Sequence, residues 1–541
     1  MRLLLDFHTP PGGRSVGAWG LLVHRTEMAS PDNSTTNPAS PSTSAAEIPW
    51  FGFQNSYARL PERFYARVNP TPVAAPRLLK INTSLARQLG LDPDALASSA
   101  GVDVLAGNRI AAGSEPLAMA YAGHQFGNFV PQLGDGRAIL LGEVVATDGK
   151  RYDIQLKGSG PTPFSRRGDG RAALGPVLRE YLVSEAMFAL GVPTTRALAA
   201  VTTGESVYRE TVVPGAVFTR VASSHLRIGT FEYFSARQDV DGLRALANYA
   251  IQRHYPEAAN SPTPALALLE AVVSRQASLV AQWMMLGFIH GVMNTDNTSI
   301  SGETIDYGPC AFMEAYDPAT VFSAIDQMGR YAYGNQPRIL LWNLTRLAES
   351  LVTLLQQEFG SQEAAVAEAI NVLEGFAPKF EAEQVAGLRR KLGLSTEHAG
   401  DLQLAQDLLE RMHTNAADFT LTFRRLCDSA VDADADQDAG KLFKDPVAFD
   451  TWVKGWRERL QKEDVSAEKR AAAMRLANPA YIPRNHMVEA VIQAATQRED
   501  FGPFQQMLTV IAQPFEERQG LESYAVPARP EERVSQTFCG T

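Results

Sequence analysis

The pattern of apolar residues changes near Pro264, and this change restricts the folds open to the chain. Before it, the apolar run 138–145 and the alternating apolar and polar residues of 153–157 lie between glycine-rich turns, which predicts strands mixed with helices. After it, apolar residues recur at helical spacing, starting with Leu269, Val272 and Val273. We therefore expect an α+β fold, mixed α/β first and mainly helical afterwards. Helices are predicted over 176–190, 339–355, 363–376, 383–392, 401–412, 419–427, 446–460, 467–476 and 487–497.

The segment 288–308 follows the first long helix and is rich in short polar side chains. It places Asp296 beside Asn297, with Asp306 in an Asp-Tyr-Gly turn a short distance later. An amide and a carboxylate could hold a divalent cation through hard oxygen ligands. The other acid could accept a proton from an attacking hydroxyl, as in a kinase-type catalytic loop. Loops rich in Asp and Asn are often simple turns, so this segment alone leaves both interpretations open.

Two glycine-rich turns flank a strand that ends in a lysine. Gly134, Gly136 and Arg137 precede the strand 138–145, and such a turn lets backbone N–H groups approach a phosphate. Lys157 ends the next strand, where a kinase-type lysine would hold nucleotide phosphates. The competing interpretations are a hairpin turn for the glycines and a solvated strand face for the lysine.

Further charged residues could complete a phosphate site. The basic, glycine-rich loop 158–171 leads into the helix 176–190, where Glu180 or Glu185 could pair with Lys157. Arg220 and Arg227 could converge on a phosphate, although each taken singly is more typical of a surface arginine. The sequence does not choose between these alternatives.

Composition excludes several classes of function. A net charge of −10 and an isoelectric point near 5.5 argue against a nucleic-acid-binding protein with a basic surface. No apolar run is expected to reach the roughly 18 residues that a membrane span requires. The three cysteines, Cys310, Cys427 and Cys539, are too scattered for a disulfide framework or a zinc cluster, which favours a reducing, cytoplasmic location.

The N-terminal residues 1–47 are predicted to be a disordered tail, because Ser, Thr, Pro, Asn and Ala dominate 29–47. The first apolar run is too short for a secretory signal. A mitochondrial transit segment stays open as an alternative, although Asp6 and Glu27 argue against it, and Met28 is an alternative start.

Several longer stretches together resemble the selenoprotein O family of kinase-fold protein adenylyltransferases, from about residue 48 to the C-terminus. The stretches that carry the resemblance are 121–127 (YAGHQFG), 132–137 (QLGDGR), 156–171 (LKGSGPTPFSRRGDGR), 178–182 (LREYL), 290–297 (HGVMNTDN), 305–309 (IDYGP) and 478–485 (NPAYIPRN).

This resemblance implies a bilobal, protein-kinase-like fold with an N-lobe over 48–215 and a helical C-lobe over 216–541. It also implies that ATP binds in the reverse orientation to that in kinases, so that AMP is transferred to Ser, Thr or Tyr hydroxyls of protein substrates. The implied nucleotide contacts are Gly134, Gly136, Arg137, Lys157 (held by Glu180), Asp169, Gly170, Arg220, Arg227 and Asp306. Asp296 would be the base, and Asn297 and Asp306 would hold Mg²⁺ (or Mn²⁺).

Other functions for the same site, and a pairing of two cysteines, stay open beside this interpretation. The same site could transfer UMP with Mn²⁺ or phosphorylate its target, or the protein could be a non-catalytic pseudokinase scaffold. The intact acidic and basic set disfavours the scaffold. Well-known family members carry selenocysteine third from the C-terminus, where this chain has Cys539. We hypothesise that Cys539 pairs with Cys310; the alternative is two unconnected thiols.

Overall fold

The structure, a computed structural model, describes residues 50–538. Its strands are β1 (Tyr65–Arg67), β2 (Arg77–Ile81), β3 (Leu117–Met119), β4 (Gly123–Gln125), β5 (Asn128–Val130), β6 (Ala138–Val145), β7 (Arg151–Lys157), β8 (Ala172–Ala173), β9 (Arg196–Tyr208), β10 (Val212–Ala222), β11 (Phe288–Ile289) and β12 (Ala311–Phe312). Its first helices are α1 (Thr83–Gln88), α2 (Pro93–Ala97), α3 (Ser99–Ala106), α4 (Leu174–Ala189), α5 (Ile228–Ser235), α6 (Val240–His254) and α7 (Pro264–Leu286). The remaining helices are α8 (Gln336–Phe359), α9 (Gln362–Glu374), α10 (Phe376–Leu392), α11 (Asp401–Asn415), α12 (Phe419–Ser429), α13 (Asp436–Gly440), α14 (Pro446–Leu460), α15 (Ala467–Ala477), α16 (Asn485–Arg498) and α17 (Gly502–Ile511).

An antiparallel sheet of eight strands organises the first part of the chain. Its order is β1-β3-β6-β7-β10-β9-β2, and β8 pairs with β10 beside this path. The short strands β4 and β5 form a separate hairpin. Because β7 lies between β6 and β10, Lys157 at its end is paired with both neighbouring strands, opposite Ala138 and Phe218. The lysine therefore sits in the middle of the sheet rather than at an edge.

The two side-chain faces of β7 are both buried, with different chemistry. Ile154 and Leu156 pack in an apolar core with residues of α1, α2 and α3. Asp153, Gln155 and Lys157 alternate with them and point to the other side, as the two-residue period of a strand requires. Asp153 and Gln155 are buried there, so the interpretation of this face as solvated is wrong.

Helix α4 is held between the sheet and two C-terminal helices. Its Tyr181 makes edge-to-face contacts with Phe218 of β10 and Phe504 of α17. Leu178 and Leu182 are fully buried in the same cluster. The last helices of the chain thus return to fix the helix that carries Glu180.

Helix α7 is the central helix of the second part and packs against α8, α9 and α10. Among the described residues it alone is long and apolar enough to span a membrane by length and composition, and 56% of that stretch is buried inside the protein. A buried core helix passes the same test, so this is weak evidence for a membrane segment. The expectation from the sequence concerned an uninterrupted apolar run, and α7 contains none of that length because Glu270 and Arg275 interrupt it.

The α+β class predicted from the sequence is confirmed. Strand β6 has the predicted bounds, and the predicted helices recur with ends that differ by at most four residues, except that α10 begins seven residues earlier than predicted. The helical pattern did not reveal α2, α3, α5, α6, α13 or α17. The predicted disordered tail 1–47 lies outside the described residues, and the division into lobes at residue 215 stays a prediction.

One lysine is buried in the helical core. Lys391 of α10 is 3% exposed, and its Nζ lies 4.4 Å from the ring centroid of Phe423 and 5.4 Å from that of Phe419. Burial lowers the pKa of Lys391 from its ordinary 10.5 to about 7. Between these two values the unfolded chain binds more protons here than the folded protein, so this residue makes stability rise with pH.

We therefore expect Lys391→Met to stabilise the protein more at pH 7 than at about pH 10, where the unfolded lysine also begins to lose its proton. The gain at pH 7 should exceed that at pH 10 by about 3–4 kcal/mol, since each tenfold change in proton affinity corresponds to about 1.4 kcal/mol. Urea unfolding at both pH values measures it. Lys454→Met, at an exposed position on α14, is the control. An equal effect of Lys391→Met at both pH values would contradict the prediction.

Candidate active site

A cleft of about 700 Å³ brings together polar residues from both parts of the chain. Eleven residues singled out in the sequence line it: Gly134, Gly136, Arg137, Lys157, Asp169, Gly170, Arg220, Arg227, Asp296, Asn297 and Asp306. Glu180 does not line the cleft but lies directly behind Lys157. Residues more than 170 positions apart in sequence therefore share one cavity.

Lys157 is held by two carboxylates. Its Nζ donates to Glu180 Oε2 at 2.6 Å and to Asp306 Oδ1 at 3.1 Å. Glu185, the competing partner considered from the sequence, instead forms a 2.8 Å ion pair with Arg196. A strand lysine is thus linked to the α4 glutamate and to the acid of the Asp-Tyr-Gly turn at once.

Asp306 is the point on which three cations converge. Besides Lys157, Arg220 Nη1 donates to Asp306 Oδ1 at 2.5 Å, and Arg227 Nη1 donates to Oδ2. Burial alone would raise the pKa of Asp306, but Arg220, Arg227 and Lys157 together hold it well below its ordinary range. Both arginines are nearly inaccessible, with exposed fractions of 1% and 2%, which excludes the surface interpretation.

The turn that carries Asp306 has an unusual backbone. Asp306 has φ of +62°, in the left-handed region that non-glycine residues rarely adopt, and its carbonyl accepts a hydrogen bond from Gly308 N at 2.9 Å. Such a conformation costs about 1–3 kcal/mol and persists where the surroundings compensate for it. Here the three ion pairs on the Asp306 side chain supply that compensation.

Asp296 lies in a short turn of 3₁₀ helix, Thr295–Asn297. One of its carboxylate oxygens accepts a hydrogen bond and the other has no hydrogen-bond partner. Oδ2 accepts a 3.3 Å hydrogen bond from Gln125 Nε2, whereas Oδ1 is buried without a hydrogen-bond partner. Burial raises the pKa of Asp296 to about 6, against the opposing effect of Arg227. Asp296 lines the cleft, and a carboxylate with a raised pKa is suited to accept a proton.

The donor set fits a divalent cation whose remaining ligands come from a nucleotide. Asn297 Nδ2 donates to Val292 O at 3.0 Å, which leaves the amide oxygen as the atom able to coordinate. Asp306 contributes a carboxylate, and both are hard oxygen donors. No group of three or more His, Cys, Asp or Glu suited to a metal occurs in residues 50–538, which is expected where Mg²⁺ binds through one or two carboxylates and substrate phosphates.

The two glycine-rich loops are close-packed rather than loose. Gly134 has φ of +75°, and a side chain there would collide with the ring of Phe164. Gly170 has φ of +65° and lies directly against the backbone of Gly160. Both positions require glycine for conformation and for space.

The side chain of Asp169 is committed to an ion pair. Arg209 Nη1 donates to its Oδ2 at 2.8 Å and Arg209 Nη2 to its Oδ1 at 3.1 Å, which joins the loop 158–171 to the β9–β10 hairpin. The hydrogen bonds from Arg209 lower the pKa of Asp169 and outweigh burial, which acts in the opposite direction.

Sequence reasoning missed the residues that support the cations. Gln155 Oε1 accepts from Arg220 Nη2 at 2.7 Å, and Gln155 Nε2 donates to Asp135 Oδ2 at 3.1 Å. The guanidinium of Arg227 lies 4.7 Å from the ring centroid of Tyr121. The position of Gln155 two residues before Lys157 was a usable signal, whereas no sequence signal linked Tyr121 to an arginine 106 positions later.

The predicted Cys310–Cys539 pairing is not tested, because Cys539 lies outside the described residues. Cys310 is buried. Nearby, Thr537 Oγ1 donates to Pro309 O at 2.6 Å, and Thr537 pairs with Ser323 in a parallel bridge. The end of the described chain therefore reaches the segment that follows the Asp-Tyr-Gly turn.

A comparison with protein families decides where the chain belongs. Residues 50–512 match the model of the family described as protein adenylyltransferase SelO. The chain belongs to this family. It is also similar to proteins named protein nucleotidyltransferase YdiU, with 63% identity in Bradyrhizobium diazoefficiens and Rhodopseudomonas palustris, over 491 residues each. A Methylorubrum populi protein of the same name is 64% identical over 497 residues, and each alignment covers 91% of this chain and 99% of the relative.

Removal of the Asp306 carboxylate should leave three buried cations without their shared partner. We expect Asp306→Ala to lower the free energy of unfolding by about 3 kcal/mol. Inorganic tripolyphosphate should then stabilise the variant more than the wild type, because its charges replace the missing carboxylate. Thermal unfolding with and without tripolyphosphate measures both effects, and Asp438→Ala, at an exposed position, is the control. Unchanged stability of Asp306→Ala would contradict this account of the site.

Proposed function

We propose that this protein transfers AMP from ATP to Ser, Thr or Tyr hydroxyls of other proteins and releases pyrophosphate. The observation that carries the proposal is that a cluster of three cations and an acid with an unpartnered oxygen share one cleft. The names of the family and of the relatives, protein adenylyltransferase and protein nucleotidyltransferase, support the class of reaction. A nucleotide and a target protein are thus the two substrates.

The reaction can be followed atom by atom on this chain's own residues. The Asp296 carboxylate takes the proton of the acceptor hydroxyl, and the hydroxyl oxygen attacks the α-phosphorus. A bond from the acceptor oxygen to the α-phosphorus forms, and the bond from that phosphorus to the oxygen bridging to the β-phosphorus breaks. Lys157, Arg220 and Arg227 neutralise the charge that develops on the leaving pyrophosphate.

A divalent cation, Mg²⁺ or Mn²⁺, would be held by Asp306 and Asn297. When bound, it would neutralise phosphate charge and polarise phosphoryl oxygens. In the nucleotide-bound protein, phosphate oxygens would then replace Asp306 as partners of the three cations. Lys157 is also held by Glu180, and Arg220 by Gln155, so these two cations have a partner besides Asp306.

We further propose that the arrangement is kinase-like. A lysine in the middle of an antiparallel sheet is held by a glutamate of the packed helix α4, and the catalytic loop and Asp-Tyr-Gly turn follow a long helix. Gly134, Gly136 and Arg137 would contact the phosphates, while Gly170, with the Asp169–Arg209 pair beside it, would border the other end of the nucleotide. Since the relatives named above are bacterial, we place the reaction in the cytoplasm rather than in a mitochondrion.

Isotopic labelling distinguishes the proposed reaction from its alternatives. Incubation of the protein and candidate acceptor proteins with ATP labelled at the α-phosphate should label protein, and ATP labelled at the γ-phosphate should not. A chelator should abolish labelling, and Mg²⁺ or Mn²⁺ should restore it. Label from γ-phosphate alone would indicate phosphorylation, stronger label from α-labelled UTP would indicate UMP transfer, and no label from any donor would indicate a scaffold.

Replacement of the proposed base should reduce turnover without unfolding the protein. We expect Asp296→Asn to lower kcat for AMP transfer by about 10²–10⁴-fold, the usual contribution of a general base. The asparagine side chain has the shape of the aspartate side chain and stays beside Gln125, so the affinity for ATP should change little. Initial rates and nucleotide binding measure the two quantities. Asp434→Asn, at an exposed position just before α13, is the matched control. An Asp296→Asn protein with normal kcat would refute the role of Asp296 as the base.

A further inference from the structure

The β4–β5 hairpin stands apart from the main sheet and lies against the loop that carries Asp296. Its strands pair only with each other, with Gly123 opposite Val130 and Gln125 opposite Asn128. A hairpin this short is marginally stable alone, so it depends on what it packs against. Here residues 124–126 each donate a hydrogen bond to one residue of the loop 294–296.

Three consecutive hairpin residues contact three consecutive loop residues. His124 N donates to Thr295 Oγ1 at 2.7 Å, and Phe126 N donates to Asn294 Oδ1 at 3.1 Å. Gln125 Nε2 donates to Asp296 Oδ2 at 3.3 Å. Two of these bonds come from the hairpin backbone, so they fix the register in which the Gln125 side chain meets the Asp296 carboxylate.

The approach is so close that the hairpin needs a glycine at its start. A Cβ on Gly123 would lie 2.5 Å from Asp296 Oδ1 and 2.9 Å from Asp296 Cβ. Any side chain there would displace the carboxylate. Asp296 is therefore confined on one side by the Gly123 backbone and on another by the Gln125 amide.

A second layer of polar contacts holds the hairpin and the loop together. Glu232 of α5 forms a hydrogen bond with His124 Nδ1 through one carboxylate oxygen, and its other oxygen accepts a hydrogen bond from Thr295 Oγ1. Tyr331 OH donates to Asn294 Oδ1 at 2.6 Å, which is the same oxygen that Phe126 N contacts. Both ends of the contact are thus supported by residues from other elements.

We propose that this hairpin is the positioning element for the base, and that Gln125 is a positioning residue for the proposed transfer reaction. By donating to Oδ2, while the Gly123 backbone lies against Oδ1, Gln125 fixes the rotation of the carboxylate that the acceptor hydroxyl would meet. The inference rests on the proposed function for its chemical consequence, but the orientation of the carboxylate can be tested without activity. A displacement of about 1 Å in a reacting group commonly costs about 10²-fold in rate.

Gln125→Met tests the inference, since it keeps the length of the side chain and removes the donor. We expect kcat for transfer from ATP to fall about 10–100-fold, while the dissociation constant of Mg²⁺·ATP changes less than about twofold. Gly123→Ala should give the same separation of kcat from nucleotide affinity. Asn128→Ala, at the exposed position opposite Gln125, is the control and should behave as wild type.

Crystal structures of the wild type and of Gln125→Met provide the readout that does not depend on turnover. The Asp296 carboxylate should rotate or lose its single orientation in the variant, with Lys157, Glu180 and Asp306 unchanged. An unmoved carboxylate, a kcat within about twofold of wild type, or weaker ATP binding with normal kcat would each overturn the inference. A wild type that transfers no nucleotide would refute the proposed function, and the structures would still decide the positioning role.

Discussion

The structure depends on the ionic contact of one carboxylate, that of Asp306, with Lys157, Arg220 and Arg227. These cations come from β7, from β10 and from the residue that precedes α5, so the contact joins the sheet to the loop 288–308. Burying several charges is costly unless they are paired and hydrogen-bonded. The cluster meets this condition through Glu180 and Gln155, which bind the lysine and an arginine from behind. The same arrangement presents a triphosphate with cations that are already oriented.

The two acids of the cleft are given opposite properties by their surroundings. Asp306 is surrounded by cations, which hold its pKa well below the ordinary range, whereas burial raises the pKa of Asp296 to about 6. Two acids whose pKa values differ in this way suit two different tasks, the binding of cations for Asp306 and the acceptance of a proton for Asp296. The β4–β5 hairpin adds to the difference between their surroundings, because it contacts Asp296 but not Asp306. The contacts of each acid therefore come from a different part of the fold.

The fold class and the main members of the site were predictable because they depend on local patterns. Glycine-rich turns, a strand ending in Lys157 and a loop with Asp296, Asn297 and Asp306 are visible within short windows of sequence. The choice between Glu180 and Glu185 was not, because it depends on how α4 packs against β10 and α17. The burial of Gln155 depends on strand order, which no local pattern encodes. Helices α5 and α6 were missed for the same reason, since tertiary packing stabilises them more than their periodicity does.

A double-mutant cycle between Asp306 and Arg220 tests the central contact most directly. The free energy of unfolding would be measured by urea denaturation for the wild type, Asp306→Asn, Arg220→Gln and the double variant, with Asp306→Asn and Arg475→Gln as a distant reference pair. The contact predicts a coupling free energy of about 1–3 kcal/mol for the first pair and nearly zero for the second. Additive effects of Asp306→Asn and Arg220→Gln would show that the carboxylate does not hold this arginine, and would contradict the account of the site.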